Sequence, residues 1–139
     1  MTTVKLKPAE KMNPNAQGAS APVTIKIFQL KDDAKFIKAD FEELWNNPDE
    51  ILKDDKLADP KELVLDPRKP TDKPDMVVKK EYKEEELKPE TRYFGVAALF
   101  TPDQVRKEDQ VKWKKVVLRD EVNGFVFTLD GYELKVVED

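Results

Sequence analysis

Apolar and charged residues alternate along much of this chain, and the period of the alternation predicts strands. In Thr91–Phe100, apolar residues occupy both parities of the alternation, which is typical of a strand buried on both faces. Pro89 precedes this run and Pro102 follows it, so the run is too short for a typical helix. We therefore predict a central strand, in which Gly95 marks either a bulge or a close approach by a neighbouring group.

The same alternation predicts the other strands, so that the chain should have seven or eight strands in total, the central one included. The first is Val4–Lys7, which Pro8 should end, and the second is Val23–Leu30. In the second strand the apolar residues change face at Phe28, which indicates a bulge or the covering of both faces. The remaining expected strands are Lys61–Asp66, Met76–Tyr82, a stretch within Val111–Glu121, Phe125–Leu129 and Tyr132–Val137.

Two turn signals separate the last predicted strands. Asn123-Gly124 and Asp130-Gly131 supply the positive φ values that two-residue hairpin turns require. They predict an antiparallel meander in the C-terminal third of the chain.

Residues 33–54 carry a helical pattern instead. Asp40 with Glu43 could cap one of its turns, and Asp32 or Asp33 could cap an earlier start. Pro48 should stop the helix, with a further short turn after it. The residues spaced as one apolar stripe are Ile37, Phe41, Leu44 and Trp45.

These elements predict an all-β fold with a small helical insertion, arranged as a two-sheet β-sandwich. The chain has 139 residues, which suits a single domain over 1–139. We expect the helical segment, about 33–54, to cover one opening between the sheets.

The composition excludes several kinds of chemistry. The chain has no cysteine and no histidine, so zinc sites built on sulfur or imidazole, Cys nucleophiles and Ser/His/Asp catalysis are ruled out. Its 25 basic and 29 acidic residues are interleaved, so no basic stripe suits nucleic acid. Zero cysteines leave the cellular compartment open.

Some side chains admit a functional interpretation beside a structural one. Carboxylates could form a glycosidase-like pair, but nearly all lie among lysines, and exposed charge is the norm for them. Glu84–Glu86 could bind a cation, although a solvated turn or edge is the simpler interpretation. Trp45 and Trp113 could stack on a sugar, but each lies in an apolar pattern that indicates packing.

The loop predicted for Ala9–Ala21 contains Asn13-Pro14-Asn15 and Gly18, which are turn formers. It is either a plain connection between the first two strands or a contact loop that a rigid sheet presents to a partner. The residues alone leave both interpretations open.

The order of these predicted elements and motifs along the chain resembles that of the TssJ (SciN) lipoprotein family of bacterial type VI secretion systems. The similarity covers nearly the whole chain, and none of its motifs is catalytic. The matching stretches are Leu6, Asn13-Pro14-Asn15 with Gly18, residues 21–31, residues 36–45, Tyr93–Phe100 and Trp113-Lys114.

The resemblance implies a transthyretin-like sandwich with a helical insertion, and no enzymatic activity, cofactor, metal or small-molecule substrate. It also implies a lipid anchor in the outer membrane, a periplasmic location, and binding to the periplasmic C-terminal region of TssM. With TssL, the pair would help to form the membrane complex. By position in the family, the expected TssM-contact residues between the first two strands are Met12, Asn13, Pro14, Asn15 and Gln17.

One feature departs from the family. Its members begin with a signal peptide and a lipidated cysteine, whereas this sequence begins Met1-Thr2-Thr3 and has no cysteine. We therefore expect a soluble form that begins after the lipidation site, with Met1 added. Two other functions stay open at this point: a periplasmic carbohydrate- or protein-binding sandwich unrelated to secretion, and a hydrolase that uses paired carboxylates.

Overall fold

The computed structural model describes residues 1–15, 17–100 and 114–139. In these ranges strands are the main regular structure, with short helices between the second and third strands. The strands are β1 (Thr2–Met12), β2 (Val23–Leu30), β3 (Lys61–Leu65), β4 (Val78–Tyr82), β5 (Tyr93–Leu99), β6 (Lys114–Leu118), β7 (Phe125–Gly131) and β8 (Glu133–Glu138). The helices are α1 (Ala34–Lys38), α2 (Phe41–Asn46) and α3 (Pro48–Leu52), and the described 3-10 turns are Lys53–Asp55 and Arg119–Gly124.

The described strands form two four-stranded sheets. The first sheet has the order β4-β1-β7-β8 and the second the order β3-β2-β5-β6. Tyr82 in β4 and Phe94 in β5 bring the two sheets into contact, with ring centroids 5.1 Å apart. Leu6, Ile27 and Phe127 belong to the same buried cluster. The predicted all-β, two-sheet sandwich is therefore confirmed.

β5 is the central strand that the sequence predicts. It pairs with β2 on one side and β6 on the other, and its residues from Phe94 to Ala98 are buried. Pairing with β2 continues through Gly95, so this glycine does not mark a bulge. A Cβ on Gly95 would lie 2.8 Å from Cε2 and Cζ of Phe36. Of the two predicted reasons for this glycine, the close approach is right.

β2 runs from Val23 to Leu30 as predicted, and the change of face at Phe28 has a packing cause. Every residue from Ile27 onward is buried, and the pairing with β5 is continuous, so both faces are covered. The outer covering includes Phe36 of α1, whose ring meets that of Phe28 edge-on with centroids 5.6 Å apart.

The helical segment is three short helices rather than one continuous stripe. Ala39 is extended, with φ −62° and ψ 143°, and Asp40 then starts α2 by accepting a hydrogen bond from the Glu43 amide at 3.3 Å. This break changes the phase of the apolar positions. Phe36 is consequently buried, and Ile37 is 57% exposed. The prediction that Ile37 lies on the apolar stripe is wrong.

The ends of these helices follow the predicted signals in part. α2 ends at Asn46, and Pro48 is the first residue of α3, where its missing N–H costs no helical hydrogen bond. Before α1, the Asp32 carboxylate accepts a hydrogen bond from the Ala34 amide at 3.3 Å. Asp33 is the N-cap of α1 but makes no side-chain capping bond.

The helices cover the outer face of the second sheet, not an opening between the sheets as predicted. Lys114 in β6 ties α1 to this sheet, because its Nζ donates to the carbonyls of Phe36 and Ile37 at 3.0 Å each, and to that of Ala39. Burial lowers the pKa of Lys114, although the nearby Asp40 carboxylate opposes this shift.

β1 is longer than predicted, because Pro8 does not end it. β4 pairs with β1 only as far as Leu6, so beyond Leu6 β7 is the one described strand beside β1. Proline is tolerated where a strand lacks a neighbour on one side. Pro8 is aligned with Leu129 of β7, and the register then shifts before Met12. The loop predicted to start at Ala9 therefore starts after Met12.

The predicted C-terminal meander is wrong. Asn123-Gly124 lies in the 3-10 turn Arg119–Gly124, which connects β6 of the second sheet to β7 of the first. β7 and β8 do form the second predicted hairpin, in which Asp130 is aligned with Glu133. Gly131, with φ 58°, supplies the positive φ of this turn.

Candidate functional site

The candidate site is the loop between β1 and β2, residues 13–22, which we call the β1–β2 loop. It lies at the end of the sandwich that also carries the β7–β8 turn, since Met12 is aligned with Gly131. The N-terminal end of β1 is at the opposite end, where Thr2 is aligned with Tyr82. The loop leaves β1 after Met12 and enters β2 at Val23, so strand residues fix both ends of its base.

The base of the loop is buried and hydrogen-bonded. Met12 has no exposed surface and Asn13 is 2% exposed. The Asn13 amide donates to the Gly131 carbonyl at 2.7 Å, and its side-chain Nδ2 donates to the Pro22 carbonyl at 3.1 Å. Asn13 has φ 49°, a left-handed conformation that asparagine tolerates better than most residues. These two predicted contact residues position the loop.

Tyr132 of the β7–β8 turn holds the next residue. Its hydroxyl donates a hydrogen bond to the Pro14 carbonyl. Its ring meets that of Phe100 edge-on, with centroids 6.3 Å apart, so the tyrosine is packed as well as bonded. The turn between β7 and β8 thus contacts the β1–β2 loop through two successive residues, Gly131 and Tyr132.

Asn15 organises the exposed part of the loop. Its side-chain oxygen accepts hydrogen bonds from the amides of Gln17 at 2.9 Å and Ala19 at 3.0 Å. Its own amide donates to the Ala19 carbonyl at 2.8 Å, and its carbonyl accepts from the Gly18 amide at 2.9 Å. Gly18 has φ 81°, which a side chain would strain. The tip is a closed turn built around one asparagine.

The predicted contact residues therefore differ in accessibility. Met12 and Asn13 are buried, Pro14 is half-buried, and Asn15 and Gln17 are exposed. The Gln17 side chain forms no hydrogen bond within the described part of the chain. Sequence reasoning missed Tyr132, because nothing near it in sequence indicates a bond to a residue 118 positions away.

The other candidate residues have structural partners. Trp45 is half-buried, stacks on Phe41 with centroids 5.4 Å apart, and has the Lys26 ammonium 4.3 Å from its ring centroid. This arrangement is packing, which was the favoured interpretation of Trp45. Trp113 lies outside the described residues. Glu86 forms an ion pair with Lys80 at 2.8 Å.

Within residues 1–15, 17–100 and 114–139, no three His, Cys, Asp or Glu side chains lie together as a metal site.

A groove of about 700 Å³ lies beside β6, and its walls combine apolar residues such as Ile37 and Val136 with Lys115 and Glu121. Burial raises the pKa of the Tyr82 phenol, and the Glu86 carboxylate adds to this effect. Among the described residues, the groove is lined by two carboxylates, those of the half-buried Asp33 and the exposed Glu121, and neither is buried as the acid of the hydrolase hypothesis requires.

No helix among the described residues has the length and apolar character to cross a bilayer.

The fold and the site define a class of protein: a two-sheet sandwich that displays a hydrogen-bonded loop at one end. A family model described as "Type VI secretion lipoprotein, VasD, EvfM, TssJ, VC_A0113" matches residues 1–136. The chain therefore belongs to this TssJ (SciN) family of type VI secretion lipoproteins. No curated protein is significantly similar to it in sequence.

Solved structures agree with this assignment. TssJ1 from Pseudomonas aeruginosa, a type VI lipoprotein, is 25% identical, with 99% of this chain and 94% of that chain covered and a TM-score of 0.72. A chain from the structure named "Type VI membrane complex" is 26% identical over 98% of this chain and 96% of that chain, with a TM-score of 0.75.

A chain from a third structure, "T6SS protein TssM C-terminal domain (869-1107) from EAEC", is 25% identical. The alignment covers 99% of this chain and 100% of that chain, with a TM-score of 0.75. The fold is accordingly the transthyretin-like sandwich of TssJ.

Proposed function

We propose that this chain is a non-enzymatic assembly component of a type VI secretion membrane complex, and that it binds the periplasmic C-terminal region of TssM through the β1–β2 loop. The observation that carries the proposal is the construction of that loop. Asn13 and Asn15 hold it with side-chain hydrogen bonds, and Tyr132 holds it from a second turn. A loop ordered before binding loses less conformational entropy when a partner engages it.

The comparisons support the choice of partner. Chains with this fold occur in structures named for a type VI membrane complex and for the TssM C-terminal domain. The family is one of secretion lipoproteins. We extend the lipoprotein character and the membrane complex to this chain. A lipid at its N-terminal side holds it at the periplasmic face of the outer membrane, and TssM with TssL completes the complex.

The two attachments then lie at opposite ends of the sandwich. β1 begins at Thr2 on the tether side and ends at Met12, where the loop begins. An 11-residue strand spans roughly 33 Å, at about 3.3 Å per residue. In this arrangement the domain, a single unit over 1–139, separates the TssM contact from the membrane.

Calorimetric titration with the periplasmic C-terminal region of TssM tests the proposal. The folded chain should bind, and Asn15→Ala should weaken binding about tenfold or more, because the tip loses the two hydrogen bonds to the Asn15 side chain. Glu85→Ala, an exposed change in the turn at the opposite end, is the matched control and should bind as the parent does. Absence of binding at high micromolar concentrations would remove TssM as the partner.

A further inference from the structure

The β1–β2 loop belongs to the longest uncharged stretch of the sequence. Between Lys11 and Lys26 there is no charged residue, although 39% of the chain is charged. The exposed described residues at its apex are Asn15, Gln17, Gly18 and Ala19, which we call the neutral tip.

Charged residues surround this surface without entering it. Glu10 and Lys11 are exposed where β1 leads into the loop, and Asp130 is exposed beside the β7–β8 turn. Glu133 in β8 is half-buried and pairs with Lys135 at 3.5 Å. Protein interfaces commonly have this arrangement, with charges depleted in the centre and present at the rim.

The tip also leaves a limited set of groups for a partner. The side-chain oxygen of Asn15 is occupied by the amides of Gln17 and Ala19. The Gln17 amide side chain is exposed and forms no hydrogen bond to a described residue. Contact at the tip therefore relies on the Gln17 amide, the NH2 group of Asn15, the loop backbone and small side chains.

From these observations we infer that the neutral tip docks against an uncharged, hydrogen-bonding protein surface. A partner charge placed against the tip would lose its hydration and find no opposite charge, which is unfavourable. The inference rests on the proposed function and adds the chemistry of the partner: TssM presents polar, uncharged groups to the tip. No charge pair forms across the tip itself, so electrostatic steering of the complex comes from the charges at the rim.

Salt dependence tests this directly. In titrations with the periplasmic C-terminal region of TssM, the weakening caused by Asn15→Ala should be the same within about twofold at 50 mM and at 500 mM NaCl, because screening acts only on charges and the tip has none. If the effect of Asn15→Ala differs between the two salt concentrations by more than about twofold, a partner charge lies against the tip and the inference is wrong, while TssM stays the partner. Complete absence of binding at either salt concentration would instead contradict the proposed function.

A charge placed in the tip gives a second test. Gln17→Glu and Gln17→Lys should both weaken binding, each by about tenfold or more, since either charge is desolvated in the complex. Glu85→Lys at the opposite end of the sandwich is the control and should change affinity less than twofold. If one Gln17 variant binds more tightly and the other more weakly, the partner surface is charged and the inference is wrong.

Discussion

The ring of Phe36 occupies the space that a side chain on Gly95 would need. A Cβ on Gly95 would come within 2.8 Å of that ring and 3.0 Å of Leu30 Cδ1. The ring cannot move away freely, because it is fully buried and packs edge-on against Phe28. This contact joins the helical layer to the central strand.

Gly95→Ala should therefore lower the free energy of unfolding by about 1–3 kcal/mol, the usual cost of overpacking a core. Denaturant unfolding measures the change. Gly124→Ala is the control, since no atom lies within 4 Å of its Cβ position and its φ is not positive. Phe36→Leu combined with Gly95→Ala should cost less than the two single changes added together. Strict additivity would show that the contact is not the cause.

Tyr132→Phe should loosen the β1–β2 loop while preserving the core. It removes the hydroxyl that donates to Pro14 and keeps the ring that packs on Phe100. We expect a loss of about 0.5–1.5 kcal/mol, the net value of one hydrogen bond, confined to the loop. Hydrogen exchange of the Gln17 and Gly18 amides should be several-fold faster, with β5 unchanged.

Tyr93→Phe is the matched control for this variant. The Tyr93 ring is also half-buried, and its hydroxyl bonds no group in the described ranges. Equal loop exchange rates in the two variants would mean that Tyr132 does not hold the loop.

Asp40→Ala should destabilise the chain by about 1 kcal/mol, because its carboxylate caps α2 through the Glu43 amide. Asp33→Ala provides the comparison: Asp33 occupies the same position before α1 but makes no capping bond, so its loss should change stability by less than about 0.5 kcal/mol. Thermal unfolding of both variants decides the point. Equal effects would mean that capping does not stabilise the start of α2.

The Lys80–Glu86 pair should make stability fall in acid. The Lys80 hydrogen bond, followed by that of the Lys83 amide, lowers the pKa of Glu86. A carboxyl whose folded pKa is depressed adds stability above its unfolded pKa and loses it as pH falls through the folded value. Glu86→Gln should therefore flatten the stability curve between about pH 5 and pH 3.

Glu84→Gln, an exposed change in the same turn, is the control and should leave that part of the curve steep. Urea midpoints at a series of pH values give the comparison. If the two variants and the parent lose stability in parallel, the acid sensitivity has another source.

The sequence predicts the core strands well for a physical reason. β5, and β2 from Ile27 onward, are buried on both faces, so their apolar residues identify them without knowledge of the neighbours. Ile37 was misplaced because Asp40 restarts the helix, and a periodic pattern does not register such a restart. Asn123-Gly124 was misread because turn chemistry is local, whereas the sheet that the next strand joins is decided by packing across the whole chain.

The same distinction holds at the candidate site. Its position follows from the turn residues Asn13, Pro14 and Asn15 and from the family resemblance. The sequence does not predict the burial of Asn13, because that burial depends on β1 continuing through Pro8. It does not predict the hydrogen bond from Tyr132 either, because the β7–β8 turn is distant in sequence. Which of the predicted residues touch TssM remains a prediction.

β1 links the two proposed attachment points, so it is also the segment that a pulling force would load. Tension between Thr2 and the loop after Met12 would act along the strand, whose hydrogen bonds to β4 and β7 lie across it. Those bonds would be sheared together instead of opening one by one. Extension of the chain between the two proposed attachments would therefore be resisted by the hydrogen bonds of both neighbouring strands at once.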